Sequence, residues 1–536
     1  MRQAFRVLGL VSVYSFFVAC GGGGGGSSSS SGSSVTVSGV VTYTSYQLSS
    51  TNGIDYGVST EKPIRGAVVE LQNISGTVLD SGNTSTTGGY SLTAPANASV
   101  RVVVKAALGS QASPHTKVVD NTNSGALYAM PVDVTTGTSN VTQSFNANSG
   151  WDGASYSSTR AAAPFAILDV IYQAEQMVLA ADSSVSFPLL LVSWSINNIP
   201  SPGDLTLGEI GTSHYNSNGQ LYILGAANLD TDEYDTHIIA HEWGHYFEAK
   251  FSRADNIGGD HTSGDILDPT VAFGEGFGNA LSGMVMDDPL YIDTAGASQA
   301  TVNINMDLEA DSVLDTDTHA VGNLLDGFYA ETSIQEVLYD LYDAGVSDDD
   351  TIGLGFTPIY NVLIGGQKTT PAFTSIFSFL HYLKQANPAS SAAITSLALA
   401  ENIGDGDEYE ATAAPLYTTV PTDGTIVTLD VDGFSLQTWN TYGAITATNP
   451  GNKLFNRLYF KFAAATTDCY TFEASPTAGG DLLFYFLGTS VNLSGAGVVE
   501  TFAVNVQAGE QGSFAVGSVG GVEPFTVRIF STPSAC

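Results

Sequence analysis

Apolar and polar residues alternate from about residue 35 to residue 110, with frequent turn residues between the runs. Strand side chains point to opposite faces in turn, so this period of two predicts the half-buried strands of a β-sandwich. Val40-Val41-Thr42-Tyr43, Pro63 to Leu71 and Thr87 to Leu92 carry the pattern most clearly. The period then lengthens. Ile167, Ile171, Ala174 and Val178 make one helical stripe after Pro164, whose fixed φ suits a first turn. Phe187 to Trp194 predicts a buried strand, and Leu221-Tyr222-Ile223-Leu224 a second one. Ile238, Ile239, Tyr246 and Phe247 give the buried side of a further helix, and Phe273, Phe277, Ala280, Leu281 and Met284 that of the next. Ser333 and Glu336 read as a capping box before Ile334, Val337, Leu338 and Leu341, and the helical pattern runs to about Ala400. After Pro415 the chain returns to strands, with Asn452 to Arg457, Cys469 to Phe472 and Phe525 to Ile529 the best examples.

A chain of 536 residues is too long for a single core. The expected fold class is therefore multidomain, an α+β catalytic domain between two all-β sandwiches. The expected layout is 1–19 a signal peptide, 20–34 a tether, 35–115 the first sandwich, 116–412 the central domain and 413–536 the last sandwich. The start is basic through Arg6, and the apolar run from Val7 to Ala19 is too short to span a membrane as a stable anchor. Phe17-Val18-Ala19-Cys20 resembles a bacterial lipobox, with Phe17 where leucine is usual. That resemblance implies a lipidated Cys20, attachment to a membrane through the N-terminal lipid only, and a place in the cell envelope, the outer membrane first, or secretion. Residues 21–34 are only Gly and Ser, the composition of a flexible leash.

Charge narrows the functions. The 16 basic and 53 acidic residues give a formal net charge of −37, which phosphate backbones would repel, so nucleic acid is excluded as a partner. Asp230-Thr231-Asp232-Glu233-Tyr234-Asp235 and Asp348-Asp349-Asp350 offer oxygen ligands for Ca²⁺, but neither has the glycine and distal glutamate of an EF-hand. Each reads as a solvated acidic loop. With Cys20 assigned to the lipobox, Cys469 and Cys536 remain as an even pair in an oxidising compartment and are expected to form a disulfide.

The chemistry concentrates in His241-Glu242-Trp243-Gly244-His245. Residues four apart on an α-helix share a face, so two imidazoles at this spacing can grip one Zn²⁺. Glu242 then stands beside a metal-acidified water as a proton acceptor. Catalytic zinc needs a third protein ligand. Glu275, on the next helix, is the candidate, and His261 in the loop between the helices is the alternative. Asn279, one turn beyond Glu275, can orient a ligand by hydrogen bonding.

His241-Glu242-x-x-His245 followed by Gly274-Glu275-Gly276-Phe277 resembles the gluzincin metallopeptidases, the class that contains thermolysin-like enzymes. The resemblance covers roughly residues 160–410 and is sharp at these two motifs. It implies a zincin-like fold, zinc on His241, His245 and Glu275, and Glu242 as general base. It also implies a strand at Leu221–Leu224 whose open edge pairs with extended substrate. Asn279 stands where thermolysin-like enzymes carry aspartate. The metzincin pattern fails at Glu248 and Phe251. The amine-binding Gly-x-Met-Glu-Asn segment of gluzincin aminopeptidases has only Gly225-Ala226-Ala227-Asn228 against it, so an endopeptidase is expected. Residues 35–110 resemble the carboxypeptidase regulatory-like, transthyretin-like sandwich. The last segment resembles the pre-peptidase C-terminal sandwich of secreted bacterial proteases. Candidate donors to the oxyanion are His261, His319 and Tyr329. The expected function is a zinc metalloendopeptidase acting on extracellular or envelope proteins. The alternative is an inactive zincin-scaffold lipoprotein that binds or adheres at the surface.

Overall fold

The computed structural model describes residues 33–216, 218–262, 264–309, 326–343, 352–429, 452–487, 489–491, 495–519, 523–532 and 536. The lipobox, most of the tether, His319 and Asp348–Asp350 lie outside them. The chain is multidomain, with several β-sheets and few helices. Among the described residues no helix is long and apolar enough to cross a membrane.

The alternating N-terminal segment forms β1 (Ser34–Ser49), β2 (Gly53–Pro63), β3 (Ala67–Asn73), β4 (Val78–Asn83), β5 (Gly89–Pro95), β6 (Ser99–Gly109) and β7 (Pro114–Asp120). β1 is central to one sheet, antiparallel to β2 and β5 and parallel to β8 (Phe145–Ala147). β3, β4, β6 and β7 belong to the second sheet. Val37, Val41, Tyr43, Val69, Leu71, Val102 and Val104 alternate into the core between the sheets.

The boundary expected at 115/116 falls inside β7. Beyond it, β7 pairs in parallel with β9 (Leu190–Trp194), Leu190 opposite Thr116 and Ser193 opposite Val119. β9 pairs in turn with β11 (Gln220–Ile223), and β10 (His214–Tyr215) closes the row, so one nine-stranded sheet runs from the first sandwich into the central region. The strand predicted at Leu221–Leu224 is therefore not the edge: β10 covers it, and β10 is outermost. Helix α1 (Ala163–Ala181) packs against this body, and its buried Asp169 accepts from Arg65 Nε at 2.6 Å and from Tyr43 Oη at 2.8 Å. One hydrophobic core runs from Val35 to Leu454 without a break between the two units.

A four-stranded sheet, β12 (Gly225–Ala226), β13 (Asp230–Thr231), β14 (Leu290–Ala295) and β15 (Thr301–Asp307), lies against the metal-motif helix α2 (Thr236–Phe251). α3 (Pro269–Met286) starts earlier than its apolar stripe suggests: Pro269 fills the first turn, and Asp268 accepts from the Thr270 N–H at 3.0 Å. It is buried all round rather than on one stripe. α4 (Glu331–Asp340) also starts earlier than predicted. Ser333 sits inside it and accepts from the Gly327 N–H instead of capping.

The last segment is a sandwich of two sheets with its own core of Phe460, Phe472, Phe484, Phe514 and Ile529. Its strand Arg457–Ala463 begins where the predicted strand ends. The preceding Lys453 instead bridges to Leu267 just before α3. Buried Arg457 and Tyr459 both bond Asp268, with Tyr459 Oη at 2.7 Å, so this sandwich is keyed to the start of α3. Cys469 and Cys536 are joined by a disulfide, Cα to Cα 5.7 Å.

Candidate metal centre

α2 and α3 cross closely because glycines face each other. A Cβ on Gly244 would stand 3.3 Å from the Gly278 Cα, and one on Gly278 would stand 2.9 Å from the His241 ring. Trp243, Tyr246 and Phe247 bury the far side of α2, which turns His241 and His245 toward α3. Trp243, inside the motif, was not counted as core by its pattern.

The three expected ligand atoms converge. His241 Nε2 and His245 Nε2 are 3.1 Å apart, and Glu275 Oε2 is 3.4 Å from each. Burial works against charge on His245, yet the carboxylate of Glu275 overrides it and holds the imidazole up to about 9. Burial likewise opposes the charge of Glu275, but His245, His241 and His261 keep its carboxyl well below the usual range. A zinc ion held here would have to displace protons from this group, so its uptake would weaken as pH falls. Two imidazole nitrogens and one carboxylate oxygen meeting at an open cleft are a donor set that fits Zn²⁺.

The surrounding bonds orient these ligands. His241 Nδ1 donates to Asn279 Oδ1 at 2.8 Å, and Asn279 Nδ2 donates to Gln335 Oε1 of α4 at 2.9 Å. That chain fixes the tautomer with Nε2 free for metal. Asn256 Nδ2 donates to the second oxygen of Glu275 at 3.0 Å. Glu242 accepts from the Tyr215 backbone N–H of β10 at 2.6 Å.

A cleft of about 930 Å³ opens over this group, lined among others by His214, Tyr215, Glu242, His261, Tyr291 and Glu331. His261 reaches the site, its Nε2 3.5 Å from Glu275 Oε2 and 3.4 Å from Glu331 Oε2. Tyr329 does not. Its hydroxyl donates to the Asp326 carbonyl at 3.3 Å, and it lines a separate cavity of about 270 Å³. Beyond Tyr215, Asn256 and Gln335, two more residues of the cleft were missed by sequence. Tyr291 on β14 has its ring 6.4 Å from His241, and burial keeps its hydroxyl protonated well above the usual range. Glu331 opens α4, where burial raises its carboxyl against the pull of His261. Glu248, one turn after His245, is buried, and that burial pushes its carboxyl up to about 8.

The acidic run before α2 is not a solvated loop. Asp232, Glu233 and Asp235 are buried, because the run is threaded between the four-stranded sheet and the start of α2. Arg160 pairs with Glu233, while Asp235 accepts from the Thr294 N–H at 2.8 Å. Away from this cleft, His115 is hydrogen-bonded to Glu175 at 3.0 Å and His381 to Gln385 at 2.8 Å.

No protein-family model matches the chain, and no curated protein matches it. Among solved structures, the pre-peptidase C-terminal domain of collagenase from Bacillus anthracis shares 6% identity, over 21% of this chain and 93% of that one, with a TM-score of 0.14. A β-glucosidase from Kluyveromyces marxianus shares 14% identity over 14% of this chain, with a TM-score of 0.13, and the chain spans only 10% of that enzyme's length. A family 35 carbohydrate-binding module from an environmental isolate shares 15% identity over 15% of this chain and 71% of that one, with a TM-score of 0.12. Scores this low carry no argument about function.

Proposed function

We propose that this chain is a zinc-dependent metalloendopeptidase that hydrolyses peptide bonds of extracellular or envelope proteins. The observation that carries the reading is the convergence of His241, His245 and Glu275 at the floor of a wide cleft that Glu242 also lines. When bound by these three residues, Zn²⁺ supplies a Lewis acid for the scissile carbonyl and lowers the pKa of a water. Glu242 accepts the proton of the attacking water and returns it to the leaving amine. Tyr215 holds one oxygen of Glu242, which leaves the other for that proton. His261 and Tyr291 line the cleft and are the donors available to the developing oxyanion. β10, outermost in its sheet and next to Glu242, is the edge on which an extended peptide would lie. The zincin-like core spans the central region and the two sandwiches flank it. With Cys20 lipidated, the enzyme would be held at the cell envelope by its N-terminal lipid.

Metal analysis and casein cleavage on the full chain, beside Glu242→Gln, test this reading. Both proteins should carry about one zinc. The variant should lose roughly 10²–10⁴-fold in cleavage rate, the worth of a positioned base. Zinc in both with cleavage in neither would favour the surface-binding scaffold instead. Equal cleavage by both would remove Glu242 from its role.

A further inference from the structure

A second group of metal-ligating side chains lies in the wall of the same cleft. Asp230 at the start of β13, Asp232 in the turn that follows and Asp293 on β14 each bring one carboxylate oxygen within 4.8 Å of the others. Asp232 is 3% exposed and Asp293 is 6% exposed. Each of the three has an oxygen, Oδ1, with no hydrogen-bond partner. The opposite oxygens are taken by neutral donors: Ser213 Oγ donates to Asp232 Oδ2, and Asn303 Nδ2 donates to Asp293 Oδ2 at 2.7 Å. Burial raises the carboxyl of Asp232 well above its usual range, and the neighbouring carboxyl groups of Asp230, Asp235 and Asp293 raise it further. The neighbouring Glu233 shows the contrast, since buried Arg160 neutralises it.

A buried carboxylate stays charged in a folded protein when it is paired or coordinates metal, and otherwise takes up a proton. Here neutral donors take one oxygen of Asp232 and of Asp293, and the three carboxyl groups stand close enough together for like charges to repel. We propose that Asp230, Asp232 and Asp293 form a site for a hard divalent cation of the Ca²⁺ class, separate from the site of His241, His245 and Glu275. An all-oxygen set selects Ca²⁺ over Zn²⁺, which prefers imidazole and thiolate. The bound cation joins β13 and β14 to the residues that lead into α2. The same sheet carries Tyr291, Asn303 and Met306 on the cleft wall, so the cation fixes that wall against the helix of His241.

The test uses the full chain, stripped with chelator and then saturated with zinc, and titrated with CaCl₂ by calorimetry and by thermal unfolding. Zinc content is measured on the same samples, so failure of the zinc site and failure of this one are read separately. Wild type should bind about one Ca²⁺ with a dissociation constant between about 10⁻⁷ and 10⁻³ M, and its Tm should rise on binding. Asp232→Asn and Asp293→Asn keep shape and remove charge. Each should weaken Ca²⁺ at least ~10-fold, since affinity follows ligand charge. In chelator each should melt at or above wild type, because a repelling charge is gone. That crossover separates a cation site from plain damage to the fold. Should either variant fail to fold, the wild-type titration decides alone. No heat and no Tm shift up to ~10 mM Ca²⁺, or undiminished Ca²⁺ binding by a folded variant, overturns the site.

Discussion

Asn279 is the residue through which the proposed metal centre can be tested most sharply without touching a ligand. Its Oδ1 accepts the Nδ1 proton of His241 at 2.8 Å, and its Nδ2 is held by Gln335 at 2.9 Å. Both amides are buried, Asn279 at 5% and Gln335 at 0% exposure. Changing Asn279 to Ala frees the imidazole to turn or to change tautomer, and either moves Nε2 out of convergence with His245 and Glu275. Loss of such an orienting partner lowers metal affinity by ~10–100-fold, or about 1.4–2.7 kcal/mol. The same change leaves Gln335 Oε1 without its donor in the core, which costs fold stability ~1–3 kcal/mol. The two losses are separable: competition with a coloured chelator reads zinc affinity, and denaturant unfolding with and without zinc reads stability. Asn279→Asp keeps an acceptor for Nδ1, so it should retain zinc far better than Asn279→Ala. Wild-type zinc affinity in a folded Asn279→Ala protein would refute the reasoning, since His241 would then need no partner to hold its nitrogen on the metal.

Arg457→Ala leaves the carboxylate of Asp268 buried with its charge partner gone, and should cost ~3–5 kcal/mol in denaturant unfolding. Because Asp268 also starts α3, zinc affinity should fall with it; a change under ~1 kcal/mol would mean the pair is not the tie between sandwich and helix. Replacing Cys469 and Cys536 by Ser opens a loop of 67 residues and should destabilise the C-terminal sandwich by ~4 kcal/mol, seen as a separate early melting step. Tyr90, buried in the first sandwich, has its hydroxyl pushed up to about 12 by that burial. A raised folded pKa means that its contribution to stability is complete below the ordinary value of 10.0 and is lost as pH rises toward 12. The stability of wild type relative to Tyr90→Phe should therefore decline between those two pH values, and a flat difference would contradict the burial argument.

The local patterns determined a good deal. Period-two alternation marked the strands of the first sandwich, because each strand faces a core on one side and water on the other. Spacing put His241 and His245 on one face of a helix, because 3.6 residues complete a turn whatever surrounds it. What the pattern could not hold is any fact that depends on which elements meet. The convergence of Glu275 with the histidines needs α2 and α3 to approach through Gly244 and Gly278, and a glycine in a sequence does not say what it faces. Tyr329 lost its expected place and Tyr291 gained one because a hydroxyl's reach is set by the packing of β14 and α4, not by distance along the chain. Asp230 and Asp232 read as solvent-facing acids in the sequence, and nothing there singled out Asp293. Two of them are an acidic run on the page, but the third arrives from β14, and burial of the turn into α2 decides that all three share one space. Sequence named the residues able to hold a metal; only the tertiary structure, by closing sheets and helices over them, decided which of their charges would be left facing one another.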